Sequence, residues 1–333
     1  MVNKLLNLSG NLILKRENFL NTLLKYKDDS LRIVYYHQVS DENFEYYFEN
    51  KAISPIEFEK QILFLKKKYE IISLKKAIEL AENKKPLKNK LVITFDDGFF
   101  TNYTIVKPIL TKHNVDATFF LIGSCIDNKN LMWRNKLLVL NKFLNQQTVD
   151  NAIKKYNLSK KHLKRGLLDW SFFSFPMDKK EEIVNYLWQE TMDISIENYL
   201  LENQPYLTSI QIKEMSSVGF EFGSHSLTHP IFSKLTYEEL DIEVSQSIEI
   251  IEKITHKKVI SFSYPFGKRA NQEFEERFFL KSRLLKTFLG TRNRLINYPK
   301  NISNWERDNL EFSYNIAVSR FSLLSIVRNL LKI

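Results

Sequence analysis

Leu91-Val92-Ile93-Thr94-Phe95-Asp96-Asp97-Gly98 is an apolar run that stops abruptly at two adjacent carboxylates and a glycine. Such a run reads as a buried strand, and α/β folds gather their reactive side chains where buried parallel strands end. Outward from it the chain alternates. Ile33–Tyr36 reads as a strand and Pro55–Tyr69 as a helix with Ile56, Phe58, Ile62, Phe64 and Leu65 on its apolar side. Glu70–Ser73 reads as a short strand and Leu74–Glu82 as a helix. After Leu91–Phe95 come a helix over Tyr103–His113 and a strand over Ala117–Ile122. A helix over Thr208–Ser217, a strand over Phe220–Phe222, a helix over Tyr237–Ile254 and a strand over Val259–Ser263 follow. A helix around Gln272–Leu280 and a strand near Leu285–Leu289 end the series. This alternation predicts a parallel sheet, which closes as a (β/α) barrel.

Between two of these strands, Asp127 to Tyr206 breaks the rhythm. The segment is rich in Lys, Asn, Leu and aromatics with little β-branched alternation, and predicts a mostly helical insertion. Because it follows the strand after the two carboxylates, it should emerge on the same face and wall or cover a substrate groove. Within it, Met132-Trp133-Arg134 offers an indole for a sugar ring and a guanidinium for a phosphate or carboxylate, or simply a tryptophan anchoring the insertion. Trp170, Trp188 and Trp305 carry the same two readings. The chain thus divides into a helical extension over residues 1–30 and one enlarged barrel domain over 31–333 that contains the insertion. Only 8 glycines and 8 prolines in 333 residues argue against low-complexity linkers.

Gly223-Ser224-His225-Ser226-Leu227-Thr228-His229-Pro230 makes a second switch from apolar to polar. Alone, an Asp-Asp-Gly is also a plain strand-ending turn, and a His-x3-His pair also a capped turn with two surface imidazoles. Both follow strands of one sheet, so both open on the same edge. Two neutral imidazoles and one carboxylate make a three-ligand set for zinc or another divalent metal, with positions left for water and substrate. The other carboxylate, next door to a ligand, suits a base that takes a proton from attacking water. Residue chemistry alone therefore points to metal-assisted hydrolysis.

TFDDG, then Asn114-Val115-Asp116-Ala117-Thr118-Phe119-Phe120-Leu121-Ile122-Gly123, then SHSLTHP, then Ser263-Tyr264-Pro265-Phe266-Gly267 resemble, in order and spacing, the polysaccharide deacetylases of the NodB-homology type, carbohydrate esterase family four. The likeness runs from about Ile33 to Tyr314 apart from the insertion. It implies an irregular (β/α)7 barrel with a mostly helical insertion. It also implies Asp96 as catalytic base, and Asp97, His225 and His229 as ligands of one divalent metal ion, usually zinc. The Phe266 backbone N–H, rather than its ring, would serve the oxyanion; the plainer reading is a Pro-Phe-Gly turn packed on the rim.

Two departures stand out. An arginine commonly precedes the third motif's proline by two residues, where this chain has Ser263; Arg307 resembles the late arginine of relatives that lack the early one, or is an exposed salt-bridging arginine. No Leu-x-x-His occurs near the C-terminus, and no histidine follows His256. Ile33-Val34-Tyr35-Tyr36-His37 instead resembles the poly-N-acetylglucosamine deacetylase branch, in which the first strand supplies the general acid. That makes His37 the expected acid, against a histidine that merely ends a strand with a hydrogen bond.

The implied function is removal of N-acetyl groups from an N-acetylated sugar or polysaccharide precursor. A catalytically weak saccharide-binding protein, or a metal-dependent amidase or esterase on another substrate, stays open. One cysteine, Cys125, excludes an internal disulfide and suits a reducing compartment, where buried filler is its expected role. Asn7, Ser9, Asn11, Lys15 and Arg16 interrupt any secretory run, so the expectation is a cytoplasmic protein, at most peripheral at the inner membrane surface. Such a location favours a lipid-linked or nucleotide-linked saccharide. The net charge of +10 and clusters such as Lys66-Lys67-Lys68 suit an anionic leaflet or phosphorylated carrier; with no recognisable nucleic-acid motif, no nucleic-acid partner is expected. Leu5–Leu24 and Phe321–Ile333 read as core-packing helices or as membrane-contacting ones.

Overall fold

The computed structural model describes residues 30–47, 52–271, 273–276, 278, 285–291, 296–297 and 304–318. The expected helices at both termini, including the 1–30 extension, lie outside these residues, as does part of the helix expected around Gln272–Leu280.

The run that opens the sequence argument is strand β3. The strands in chain order are β1 Ser30–Tyr36, β2 Glu70–Ile71, β3 Lys90–Phe95, β4 Thr118–Leu121, β5 Glu221–Ser224, β6 Ser261–Ser263, β7 Thr287–Gly290, β8 Ile296–Asn297, β9 Asn304–Glu306 and β10 Asp308–Asn309. They form one mostly parallel sheet in the order β10-β1-β3-β4-β5-β6-β7-β9, with β2 added beside β3 and β8 antiparallel to β1. β9 and β10 are separated by Arg307 alone. Leu289 pairs with Trp305 on one side and Val34 with Asp308 on the other, so residues 304–309 act as one interrupted closing strand. The ring is therefore an irregular seven-stranded barrel, as the motif resemblance implies.

Register explains the strands' composition. Ile33 pairs with Val92 and Tyr35 with Thr94, and this parity faces inward. Ile33, Val92, Phe120, Leu289 and Trp305 share one buried cluster, which Leu74, Ala77 and Ile78 of a helix join. The opposite parity, Val34, Tyr36, Ile93, Phe95 and Phe119, belongs to the larger cluster beneath the outer helices. β3 is thus apolar on both faces because both are covered.

The helices are α1 Pro55–Lys68, α2 Leu74–Glu82, α3 Lys107–Lys112, α4 Trp133–Leu140, α5 Gln146–Tyr156, α6 Leu167–Ser174, α7 Lys180–Gln189, α8 Ile196–Asn203, α9 Ser209–Ser217 and α10 Tyr237–Thr255. Side-chain caps set several starts: Ser54 with Pro55 behind it for α1, and reciprocal capping boxes at Thr208/Gln211 for α9 and Thr236/Glu239 for α10. Two expectations need correction. Ile56 faces solvent rather than the apolar side of α1, whose buried stripe runs through Phe58, Ile62 and Leu65. The helix expected over Tyr103–His113 opens as a π turn over Asn102–Val106 before α3. Pro108 has no N–H for an ordinary helical bond there, and the Lys107 N–H reaches back to the Asn102 carbonyl instead.

Helices α4 to α8 make up the insertion, whose core of Leu137, Val149, Trp170, Ile183, Leu187 and Trp188 runs on into Tyr46, Phe99, Ile122 and Ile231 at the barrel's strand ends and loops. The Trp170 and Trp188 indoles donate to the Ser159 and Ile194 carbonyls at 2.7 Å, so both are structural. Cys125 is buried in the same core and its thiol is pushed up to about 12 by that burial, consistent with filler. The returning chain is strapped to the strand-end loop: the Leu207 N–H donates to the Gly98 carbonyl and the Phe100 N–H to the Pro205 carbonyl, both at 2.9 Å.

Gly223 of β5 exists because the Phe120 ring occupies the barrel interior against it, with Ser261 Oγ 2.8 Å from where a Cβ would stand. Gly223→Ala should therefore lower stability by roughly 1–3 kcal/mol through overpacking, read as a lower urea midpoint with unchanged slope.

Candidate active site

The two adjacent carboxylates diverge because the backbone turns left-handed after Asp96. Asp97 and Gly98 have φ of 69° and 71°, a region that strains any residue with a Cβ. Asp96 continues the inward parity of β3, and Asp97 turns toward the β5 loop. There Asp97 Oδ1 lies 3.4 Å from His225 Nε2 and 3.5 Å from His229 Nε2.

The loop holding the histidines is built from its own polar side chains. His225 Nδ1 donates to the Ser263 carbonyl at 2.7 Å, a partner that assigns the proton to Nδ1 and leaves the Nε2 lone pair facing Asp97. Ser226 Oγ accepts from the His229 N–H at 2.9 Å, within a turn where Ser226 and His229 both have positive φ. Glu243 of α10 accepts from the Leu227 and Thr228 N–H groups at 2.9 and 2.8 Å, and from the Thr228 hydroxyl. Burial pushes His229 down to about 3, which keeps it neutral as a metal ligand requires.

These three residues fit a cation. Asp97 Oδ1 is buried with no hydrogen-bond partner among the described residues, a condition that costs about 1–3 kcal/mol unless something takes it up. The separations of 3.4 and 3.5 Å match the edges of a tetrahedron whose ligands stand about 2.1 Å from a zinc ion.

Asp96, only 2% exposed, receives two parallel bonds from the Arg307 guanidinium at 2.8 and 2.7 Å. Arg307 is 0% exposed, which rejects the exposed salt-bridging alternative. It also donates to Thr94 Oγ1 at 3.1 Å and Ser263 Oγ at 2.6 Å, and its plane lies 4.8 Å from the Tyr35 ring centroid. The serine at 263 leaves room for this late arginine. Burial alone would raise the Asp96 pKa, but Arg307 outweighs it and holds the carboxyl below its usual range.

His37 ends β1 across the cavity. Glu311, which no motif signalled, pairs with His37 Nδ1 at 2.8 Å and also accepts from the backbone N–H of His37. Burial by itself would lower this imidazole, but the Glu311 carboxylate raises it to about 10, so it stays protonated at neutral pH. A signal existed only in the pairing: Tyr35 opposite Asn309 puts position 311 opposite 37 if the register runs on. Phe266 has a left-handed φ of 57°, and its ring packs on His229 with centroids 4.6 Å apart. The Trp133 indole donates to the His229 carbonyl at 2.8 Å, which makes Trp133 an anchor. His37, Asp96, Asp97, His225, His229 and Phe266 all line one cavity of about 320 Å³, whose far wall is Met132, Arg134, Asn135 and Leu138 from the insertion.

An irregular, mostly parallel barrel with an acid/histidine edge is consistent with the fold of NodB-type carbohydrate deacetylases. The chain belongs to the polysaccharide deacetylase family, whose model matches residues 83–166 and 180–277, with the gap falling inside the insertion. YxkH of Bacillus subtilis (strain 168), named for the same family, is 23% identical over 249 residues, 74% of this chain and 60% of that protein. The match thus covers less than two thirds of YxkH. The poly-beta-1,6-N-acetyl-D-glucosamine N-deacetylase of Staphylococcus aureus (strain MRSA252) is 26% identical over 211 residues, 60% of this chain and 67% of that enzyme. Among solved structures, Streptococcus pyogenes deacetylase PplD in complex with acetate superposes with a TM-score of 0.58 at 17% identity, covering 89% of this chain and 97% of that one. IcaB from Ammonifex degensii gives 0.57 at 17% identity, covering 89% and 98%. At this identity the likeness is one of fold.

His225→Ala and Asp97→Asn should each abolish stoichiometric zinc retention after gel filtration, measured by elemental analysis, whereas Asp96→Asn should keep it. Loss of metal in Asp96→Asn alone would reverse the division of roles. Arg307→Gln strands a buried carboxylate and should cost about 3–5 kcal/mol. In the wild type, a depressed Asp96 contributes stability above the ordinary carboxylate pKa and loses it as pH falls through the lower folded value; the variant lacks that contribution and its stranded carboxyl is relieved by protonation, so the stability gap between the two should narrow as pH falls, read from urea midpoints across the acid range.

Proposed function

We propose that this chain is a metal-dependent N-deacetylase that hydrolyses the acetamide of an N-acetylated sugar. The observation that carries the reading is one cavity with three prepared groups: a carboxylate kept ionised by Arg307, an Asp/His/His triangle with an unmet oxygen, and an imidazole kept protonated by Glu311. A general base and a general acid whose environments push their protonation apart are what amide hydrolysis needs at neutral pH.

Asp97, His225 and His229 would hold a divalent cation, zinc by their donor set, which supplies polarisation of the acetamide carbonyl and a lower pKa for water. Asp96 takes the proton as water attacks the carbonyl carbon. The Phe266 N–H donates to the oxygen that gains charge. His37 then gives its proton to the sugar nitrogen as the C–N bond breaks, and acetate and a free amino sugar leave. Although position 263 is a serine, Arg307 donates both to Asp96 and to Ser263 Oγ, so the base has a guanidinium partner, which supports catalysis over a binding-only role.

As part of the same proposal, the substrate is a precursor unit, lipid-linked or nucleotide-linked, handled in the cytoplasm at or near an anionic membrane surface. The net charge of +10 and the insertion walling the cavity support this. Among the described residues no helix is long and apolar enough to cross a membrane.

Zinc-loaded protein should release acetate from N-acetylglucosamine oligomers or carrier-linked N-acetyl sugars, and Asp96→Asn should lower kcat by about 10²–10⁴. No release by metal-replete wild type from any of these sugars would sink the deacetylase reading. The alkaline limb of kcat/KM should fall near the His37 value of about 10. Glu311→Gln should move it down toward about 6.5, the ordinary imidazole value. By the same linkage the wild-type His37–Glu311 pair stabilises the fold fully below the unfolded pKa, and that contribution fades as pH rises through the folded value.

A further inference from the structure

Glu243 sits where its helix calls for a hydrocarbon. The buried stripe of α10 runs through Leu240, Val244, Ile248 and Ile251, and Glu243 shares it at only 8% exposure. Burial pushes its carboxyl above the ordinary range, against the pull of the Thr228 hydroxyl, the Thr228 and Leu227 N–H groups and the Lys180 ammonium of α7. A carboxylate buried at such a cost, against the local pattern, points to a role outside the helix.

The backbone of the histidine loop supplies that role. The Ser226 N–H donates to Ser224 Oγ at 3.2 Å and the His229 N–H to Ser226 Oγ at 2.9 Å, so both ends are served by the loop's own serines. The two N–H groups at the tip, of Leu227 and Thr228, go to one oxygen of Glu243 at 2.9 and 2.8 Å, while its other oxygen takes the Thr228 hydroxyl. On the opposite side, the Ser226 and Leu227 carbonyls accept from the Gly123 and Ser124 N–H groups at 3.0 and 2.9 Å. Ser247, one turn after Glu243, accepts from the Ser224 hydroxyl at 2.9 Å. The loop is thus pinned between the end of β4 and α10, and among the described residues Glu243 is the sole acceptor for the donors at its tip. Ser226 and His229 both hold positive φ in this turn, a shape that non-glycine residues keep only when their surroundings impose it.

Two imidazoles bind one cation tightly when their separation is set in advance; otherwise the cost of ordering them is subtracted from the affinity. We propose that Glu243 is a positioning residue of the metal site, holding the tip of the histidine loop so that His225 and His229 face Asp97 before a cation arrives. This rests on the reading of Asp97, His225 and His229 as the metal site of a deacetylase. Glu243 does not line the cavity and acts through the Leu227 and Thr228 backbone.

The test is the zinc Kd, measured by chelator competition, with urea unfolding of the metal-free proteins alongside. The proteins are wild type, Glu243→Leu, Glu243→Gln and, near the far end of the same helix, Glu252→Gln. Glu243→Leu suits the buried stripe but accepts no hydrogen bond, so it should raise the zinc Kd by about 10–100-fold while still unfolding cooperatively. Glu243→Gln can turn its amide oxygen to the two N–H groups and its NH2 to the Thr228 oxygen, and should recover most of the affinity. Glu252→Gln weakens an acceptor of the Val259 N–H and should leave the zinc Kd at the wild-type value. A merely structural Glu243 would lower the urea midpoint of Glu243→Leu and leave its zinc Kd alone, a result that overturns the inference. Glu243→Gln as weak as Glu243→Leu overturns it too, because charge rather than position would then be responsible. If Glu243→Leu does not fold, Thr228→Val, which removes only the hydroxyl donor, decides: a raised zinc Kd upholds the inference and an unchanged one overturns it. Wild type that binds no zinc sinks the metal-site reading and this inference with it, an outcome distinct from a bound zinc indifferent to position 243.

Discussion

The pair of bonds between Arg307 and Asp96 holds both the barrel and its chemistry. Arg307 is the residue at which the closing strand breaks into β9 and β10, and its own N–H bonds back to the Gly290 carbonyl of β7 at 3.1 Å. Its side chain reaches Thr94 of β3 and Ser263 of β6. One guanidinium thus ties the seam of the sheet to strands across the interior. A buried charge pair is a poor source of net stability, because both ions surrender water to form it. What it supplies is specificity: the ring closes with an arginine inside only if a carboxylate waits there. The closure of the fold and the ionisation of the base are one interaction.

The fold was legible because burial on two faces forces strands to be apolar, and the stop in LVITFDDG marks where that burial ends. Both carboxylates, both histidines and the first-strand histidine could be found because each follows such a run. The insertion was legible as a change of pattern. Glu311 was not, since its value comes from register with β1 across the closing seam, a contact spanning 274 residues. Nor could burial of Arg307 be read from Trp305-Glu306-Arg307-Asp308, where every second residue faces inward only once the strand is known to close a barrel. The π turn before Pro108 was hidden for the opposite reason, a local strain that a helical pattern conceals.

Some departures from ordinary backbone preference border the cavity. Asp97, Ser226, His229 and Phe266 all have positive φ without being glycine, each a conformation that costs of order 1–3 kcal/mol unless its surroundings impose it. The surroundings here are the Glu243 carboxylate under the histidine loop, the strap from the insertion and the tight Pro-Phe-Gly turn. A rigid scaffold is spending its surplus order on the aim of a few side chains, a general condition for a site that must meet its substrate already arranged.

The hydrogen bond from the Trp133 indole to the His229 carbonyl ties the insertion to the histidine loop, beside the barrel-loop residues Phe99, Ile122 and Ile231 that pack in the insertion's core. Any free energy gained by ordering the histidine loop is shared with the seat of α4, and coupling of this kind acts equally in both directions. The insertion is therefore less a passive lid than a lever. Mutations that loosen its far helices reach the histidine loop through that indole and the core packed around it, and a lineage that remodels this wall to accept a new sugar must keep that seat intact.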